Sequence, residues 1–416
     1  MNPKSPRTNF ARWVQILLVM LAGFYLVRQL VVLVFQEGPR PDLDIIITAA
    51  KRFMAQEEVY RLSDEFEHTK PPLLMGVVFH LVWLPHFWVR LIWDVLLWCF
   101  PIFIFRQTFR EFRNPFGYRW NLTAAALTIF TLSPLWFKEA GYGQFNLFNF
   151  WLMLLAFSWL RGKNAALHLV AGAAIALTLV IKPTQLYLVP WVALGTFAGS
   201  TLDLSQDFVA KSVAARKLFR AVVGGTFLIF ILAFSYSLLR SWRELISDHR
   251  DWAQYLSMSS AKHIIQPDNL GIPSLLTRMG FGAWVSGSGF LVVTWALTTV
   301  VVWKFRRRPD LALIWSTLLM LAFSPMCWRA NFGVLILLVY GLGLRLTQNI
   351  RDAKAWLGIA AWLVLSKMSP YWLGLESVQE FGQWAGPLWL AILGGVCFSS
   401  ANLSDETPHS SNALEN

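Results

Sequence analysis

The sequence predicts an all-α protein, a polytopic transmembrane bundle of about twelve spans with interfacial helices in its first outer loop. Three observations carry that prediction. Hydrophobic residues make up 56% of the 416 and charged residues 14%, against about 25% charged in an ordinary soluble domain. The 22 Trp and 32 Phe exceed the needs of a soluble core, and Trp favours the headgroup level of a bilayer. The apolar residues also come in runs of spanning length, joined by short polar segments.

Candidate spans lie near 13–35, 88–106, 120–136, 144–160, 165–181, 184–199, 219–239, 281–304, 311–326, 331–347, 355–370 and 383–399. The first follows "MNPKSPRTNFARW" and has no small-residue cleavage site after it, so it is expected to be retained. The run 71–86 opens on Pro71-Pro72, is short, and meets "LPHFW"; it is expected to be interfacial. Charge agrees with that choice. With the N-terminus inside, "RQTFREFRNPFGYR" (106–119), "RGK" (161–163), "KSVAARKLFR" (211–220), "KFRRR" (304–308) and "RLTQNIRDAK" (345–354) all fall inside, the usual bias for basic loops. The net charge of +12 therefore reports topology and argues against nucleic acid as a partner. Residues 1–399 are expected to form one integral-membrane domain and 400–416 a polar, disordered tail. Cys99, Cys327 and Cys397 lie in or beside apolar runs without a CxxC, which gives neither a disulfide framework nor a metal site.

The unusual polar residues gather on the opposite, outer side. "RPDLDIIITAAKRF" (40–53) sets Asp42 and Asp44 where a helix is about to begin. They suit either a helix cap or a general base or metal ligand facing a substrate at the interface. Lys70 precedes two prolines at headgroup level, where an ammonium either meets a phosphate or anchors a helix. "GYGQFNLFNF" (141–150) puts Gln144 and Asn146 at the start of a span, as turn caps or as sugar ligands. Lys182 in "IKPTQ" and Arg329 in "SPMCWRANF" close other spans; both suit phosphate contacts, and both suit interface anchoring. Arg28 and Asp94 are the main charges placed deep in spans, whereas His249 and His263 read as ordinary loop residues. No P-loop, GxGxxG, HExxH or G-x-S-x-G occurs, so nucleotide-driven transport and serine hydrolysis have no local support.

These stretches together resemble the family 87 glycosyltransferases, polytopic enzymes of the GT-C class. Asp42-Leu43, then Ala49-Ala50, then Tyr60 follow the family's opening pattern, with Ile46 standing where the family has a tyrosine. Lys70-Pro71-Pro72-Leu73 is similar to the Lys-Pro-Pro form of related lipid-linked aminoarabinose and mannosyl transferases, in which the lysine contacts the lipid phosphate. Gly143-Gln144-Phe145-Asn146, Lys182-Pro183, Asn269 through Arg278, and Ser324 through Ala330 match later motifs, with Ala330 replacing a histidine. The resemblance implies an inverting hexosyltransferase, with mannose the family's usual sugar and polyprenyl phosphate its carrier. The acceptor would be a lipid or glycan at the outer face of the plasma membrane. Asp42 would be the base, with Asp44 a second acidic candidate in a supporting or metal-binding place. Lys70, Lys182 and Arg329 would hold the donor phosphate, and Gln144, Asn146 and Asn269 would hold the sugar or fix the loop around it. No cofactor is implied, and a divalent metal is left open. The competing classes are a lipid-linked saccharide flippase or polymerase, and a non-catalytic assembly protein.

Overall fold

The computed structural model describes residues 40–61, 70–116, 121–197, 208–285, 288–368 and 374–402, with parts of 16–31. Residues 13–15, 18, 25, 29–30 and 32–35 of the expected first span and the tail beyond 402 lie outside the described residues. Among the described residues all regular structure is helical.

Helix α1 (Pro41–Met54) opens on a proline, whose fixed φ suits a first helical turn and whose missing N–H the helix does not need. Asp42 and Asp44 occupy its first turn, toward the positive end of the helix dipole, and Lys51 and Arg52 its last. Leu43, Ile46, Ile47, Ala50 and Phe53 form its buried stripe. Helix α2 (Pro72–Val78) also starts on a proline, after extended Pro71, and continues as the 3-10 turn Phe79–Trp83. Seven plus five residues reach about 18 Å at about 1.5 Å per residue, too short to cross a core of about 30 Å.

The long helices follow: α3 (His86–Phe116), α4 (Leu122–Tyr142), α5 (Asn146–Arg161) and α6 (Ala165–Ile181). Helix α6 stops because Lys182 precedes Pro183 and is extended, at φ −149° and ψ 97°. Beyond the break, Pro183–Leu188 is a 3-10 turn, α7 (Val189–Leu194) one short helix and Gly195–Phe197 another 3-10 turn. Then come α8 (Phe208–Ser237), α9 (Trp242–Ile264), α10 (Ile272–Leu276), α11 (Gly282–Val285) and α12 (Ser288–Lys304). The chain ends with α13 (Pro309–Phe323), α14 (Ile336–Gln348), α15 (Ala353–Lys367), α16 (Leu375–Gln383) and α17 (Gly386–Asn402).

Helices thus stand where hydropathy expects spans, but among the described residues fewer than twelve have spanning dimensions. His86–Phe112 and Lys211–Ser237 are long and apolar enough, and there are four if two bent helix pairs near the C-terminal half each act as one span. The shortfall has a local cause. Helices α6, α13 and α14 run 17, 15 and 13 residues, and 183–197 is broken into three short pieces, with Pro183 opening the first and Pro190 near the start of the second.

Helices α6 and α8 make the most extensive helix pair, and small residues bring them together. A Cβ on Gly172 would lie 1.7 Å from the Ala221 carbonyl oxygen, and one on Gly224 2.0 Å from that of Leu169. Gly172→Leu should therefore force the pair apart and lower the melting temperature of purified protein in detergent, whereas Gly289→Ala, which meets nothing within 4 Å, should leave it unchanged. A cost of about 1–3 kcal/mol or more is expected for the first. Equal melting of both variants would show that the close contact is not needed.

Candidate active site

Helix ends, rather than helix middles, build one cavity of about 650 Å³. Its wall takes Asp42 from the start of α1, Lys70 from the approach to α2, Gln144 and Asn146 from the α4–α5 turn, Lys182 from the end of α6, and Arg329 from the 3-10 turn Arg329–Val334. Six of the eight residues singled out from sequence therefore share one space. Five Lys and Arg line it against two Asp, so its charge is positive.

Gly143 explains how Gln144 reaches Asp42. It ends α4 in the left-handed conformation, φ 74°, and the Gly143 and Gln144 amides donate back to the Ala140 and Glu139 carbonyls at 3.0 Å each. A Cβ here would lie 2.8 Å from Leu43 Cβ, so only glycine lets the turn close on the start of α1. The Gln144 side chain then hydrogen-bonds Asp42. Gln144 Oε1 accepts from Asn146 Nδ2 at 2.9 Å, which leaves the Gln144 amide N–H groups for the carboxylate. Asn146 Nδ2 also donates to Asn331 Oδ1 at 3.3 Å, and Lys182 Nζ donates to Asn146 Oδ1. One asparagine thus links the α6 cation to the α1 carboxylate.

Burial raises the Asp42 carboxyl above its ordinary range, with Lys70, Lys182 and the Gln144 hydrogen bond pulling it partway back. Burial lowers the Lys70 ammonium, with Asp42 opposing. Lys182 is pushed down to about 8, first by burial and then by repulsion from Lys70. Two desolvated ammonium groups within reach of each other and of one carboxylate form a site short of negative charge. Tyr60 helps hold it, its hydroxyl donating to the Lys70 carbonyl at 3.0 Å.

The other two candidates sit elsewhere. Asp44 does not line the cavity: Oδ2 accepts from the Arg40 amide at 2.7 Å and Oδ1 meets His86 Nε2 at 2.8 Å. It closes the start of α1 onto the start of α3. Asn269 is fully buried behind the wall. Its Nδ2 donates to the carbonyls of Pro325 (2.7 Å) and His263 (3.2 Å), and its Oδ1 accepts from the Cys327 amide at 3.0 Å. It fixes the 324–330 loop. Among the described residues no three His, Cys, Asp or Glu side chains converge as metal ligands.

Several residues escaped the sequence. Glu139, buried completely, accepts the Leu147 amide at 2.6 Å and caps α5 beside Asn146. Lys138 and His263 line the cavity, His263 with its ring edge-on to Trp328 at 6.1 Å. Asn331 is visible only through its partner. Lys138 and Glu139 lie just before the quoted 141–150 stretch, and His263, expected to be an ordinary loop residue, instead lines the cavity; the excess of polar residues on the outer side was the available signal.

An all-helical chain rich in apolar helices here sets a half-buried carboxylate between two lysines at helix ends, an arrangement whose cost points to a functional site. The family model described as glycosyltransferase family 87 matches residues 69–327. The chain belongs to glycosyltransferase family 87, and is accordingly a membrane glycosyltransferase. The match takes in Lys70, Gln144, Asn146, Lys182 and Asn269; Asp42 and Arg329 lie outside it. No curated protein matches the chain.

Arg40 secures the start of α1. Its guanidinium, 1% exposed, pairs with Asp94 of α3 at 3.4 Å and so ties the residue just before α1 to a spanning helix. Arg40→Met should leave Asp94 buried without this partner and destabilise the protein by about 3–5 kcal/mol. Arg40→Met with Asp94→Leu should recover much of that in thermal melts. No recovery would mean that the pair is not the relevant contact.

Proposed function

We propose that the enzyme transfers a hexose, mannose by the family resemblance, from a polyprenyl-phosphate carrier to an acceptor hydroxyl, with inversion at the anomeric carbon. The observation that carries this is the half-buried Asp42, hydrogen-bonded by Gln144 and flanked by Lys70 and Lys182, in a cavity built from helix ends. The acceptor oxygen bonds to the anomeric carbon as the bond from that carbon to the phosphate oxygen breaks. Asp42 takes the acceptor proton; its raised carboxyl is a stronger base than an ordinary aspartate. Polyprenyl monophosphate leaves, and Lys70 and Lys182 stabilise its growing charge. Asn146 holds Lys182 in place, and Gln144 orients the carboxylate. No metal is needed in this sequence of events. The cavity is assigned to the outer face, in agreement with the basic inner loops. An amphipathic carrier puts its reactive bond at the interface, which accounts for a base set at helix ends.

With radiolabelled polyprenyl-phosphate mannose and a total lipid extract from the source, wild type should produce labelled product and Asp42→Asn at least about 100-fold less, with unchanged melting. Equal transfer by both would remove Asp42 from the role.

Phosphate binding should depend on pH through Lys182. A phosphate beside the ammonium favours its charged form, so binding raises the pKa from about 8 and takes up a proton. Affinity for polyprenyl phosphate should then fall as pH rises above 8, by up to about tenfold per unit, and Lys182→Arg should flatten the profile. A flat wild-type profile from pH 7 to 9 would sink the assignment.

A further inference from the structure

We propose that Glu139 is a positioning residue for the reaction: through Asn146 it sets the place and the charge of Lys182, without itself meeting the substrate. The proposal rests on the reading that Lys182 faces the donor phosphate. Glu139 stands in the last turn of α4, is fully buried, and does not line the cavity. It holds the α4–α5 turn at two points. Its backbone carbonyl accepts the Gln144 amide at 3.0 Å, and its side-chain Oε1 accepts the Leu147 amide at 2.6 Å. The segment 144–147 is thereby pinned to one residue, and it carries both side chains that serve the charged groups of the cavity, Gln144 and Asn146. From Asn146 the contacts continue to the cation, since Lys182 Nζ donates to Asn146 Oδ1. Glu139 and Lys182 are thus joined through one asparagine, gripped by its peptide link to Leu147 on one side and by its amide oxygen on the other.

Capping alone does not call for a carboxylate. Helix α5 has no side-chain cap from Phe145, the residue before it, so the Leu147 amide does need an acceptor. A glutamine oxygen would serve, at a lower desolvation cost than a buried charge. Glu139 Oε2 has no hydrogen bond among the described residues, and no Lys or Arg there pairs with the carboxylate directly. A carboxylate kept in such a place needs a cation to answer it. The charges acting on Lys182 come from four elements: Lys70 before α2 repels it, and Glu139 of α4, Cys327 of the 324–330 loop and Asp42 of α1 hold it charged. Burial pushes the Glu139 carboxyl up to about 8, with the Leu147 hydrogen bond and Lys182 opposing. Two ammonium groups beside the single carboxylate of Asp42 would drive one of them toward losing its proton. A second carboxylate behind Asn146 offsets that repulsion. Its place behind the wall matters, because a carboxylate in the cavity would compete with phosphate for the face that Lys182 presents.

The first experiment needs no substrate. The full chain in detergent is reductively methylated with formaldehyde across a pH series, and modification of Lys182 is read by peptide mass spectrometry; only the neutral amine reacts. The wild-type midpoint should lie at about 8. Glu139→Gln, which keeps an oxygen for the Leu147 amide, should melt normally and move that midpoint down by about half a unit or more, a roughly threefold faster modification at about pH 7. An unchanged midpoint in a normally melting variant overturns the proposal and leaves Glu139 a helix cap. Should Glu139→Gln fail to fold, Glu139→Gln with Lys182→Met decides: folding should return if the two charges answer each other, and a double variant that also fails to fold overturns the proposal. Binding of citronellyl phosphate separates the inference from the reading beneath it. Glu139→Gln should weaken binding about threefold at about pH 9 and hardly at all near about pH 6, where Lys182 is charged in both proteins. A shifted Lys182 midpoint with unchanged citronellyl phosphate affinity would support the coupling of Glu139 to Lys182 and remove Lys182 from the donor site.

Discussion

The site depends on one backbone approach, that of Gly143 to Leu43. It joins two parts of the chain about a hundred residues apart, the start of α1 and the α4–α5 turn. A side chain at position 143 would hold them apart by the width of a methyl group. Gln144 could not then reach Asp42, and Asn146 would carry Lys182 to nothing. The glycine therefore has a steric task as well as a conformational one, since its positive φ and its missing Cβ are both used.

From that contact the electrostatics follow. Asp42 is half-buried beside two half-buried lysines, a combination that costs free energy through desolvation. The uncharged amides of Gln144, Asn146 and Asn331 keep these groups apart and aimed, without neutralising them. The site is short of negative charge, which the proposed phosphate donor would supply. Asp44, two residues on, spends its carboxylate differently: on the Arg40 amide and His86, at the surface end of α1. Two positions of one helix turn thus face the cavity and the neighbouring helix separately, because they point to different sides.

The sequence carried much of this. In a chain with so few charges, Asp42, Lys70, Gln144, Asn146, Lys182 and Arg329 stood out at the edges of apolar runs, and local signals such as Lys before Pro-Pro or Gly before Gln located them. What it did not carry was pairing across distance. Arg40 and Asp94 are 54 positions apart, and Asn146 and Asn331 are 185 apart; nothing local marks either bond. Asp44 and Asn269 looked like site residues because their segments belong to the site, although their side chains turn away from it. Helix existence was read well from hydropathy, and helix length less well. Proline breaks such as the one at Pro183 interrupt a run that remains apolar on both sides.

The α6–α8 contact has a mechanical consequence. Helix α6 ends in Lys182, and α8 is followed closely by Arg240, whose guanidinium grips the far end of α1 through the Glu57 carbonyl at 2.5 Å and the Phe53 ring at 4.9 Å. Helix α1 returns to Lys182 at its near end, through Asp42. Lys182, α6, α8, Arg240 and α1 therefore form a closed linkage of stiff rods with short joints. In an open chain of parts, positional error accumulates from joint to joint; in a closed one it must sum to zero around the loop. The distance between carboxylate and ammonium is thereby set by the dimensions of the whole frame, and a disturbance far out on α8 is felt at the cavity.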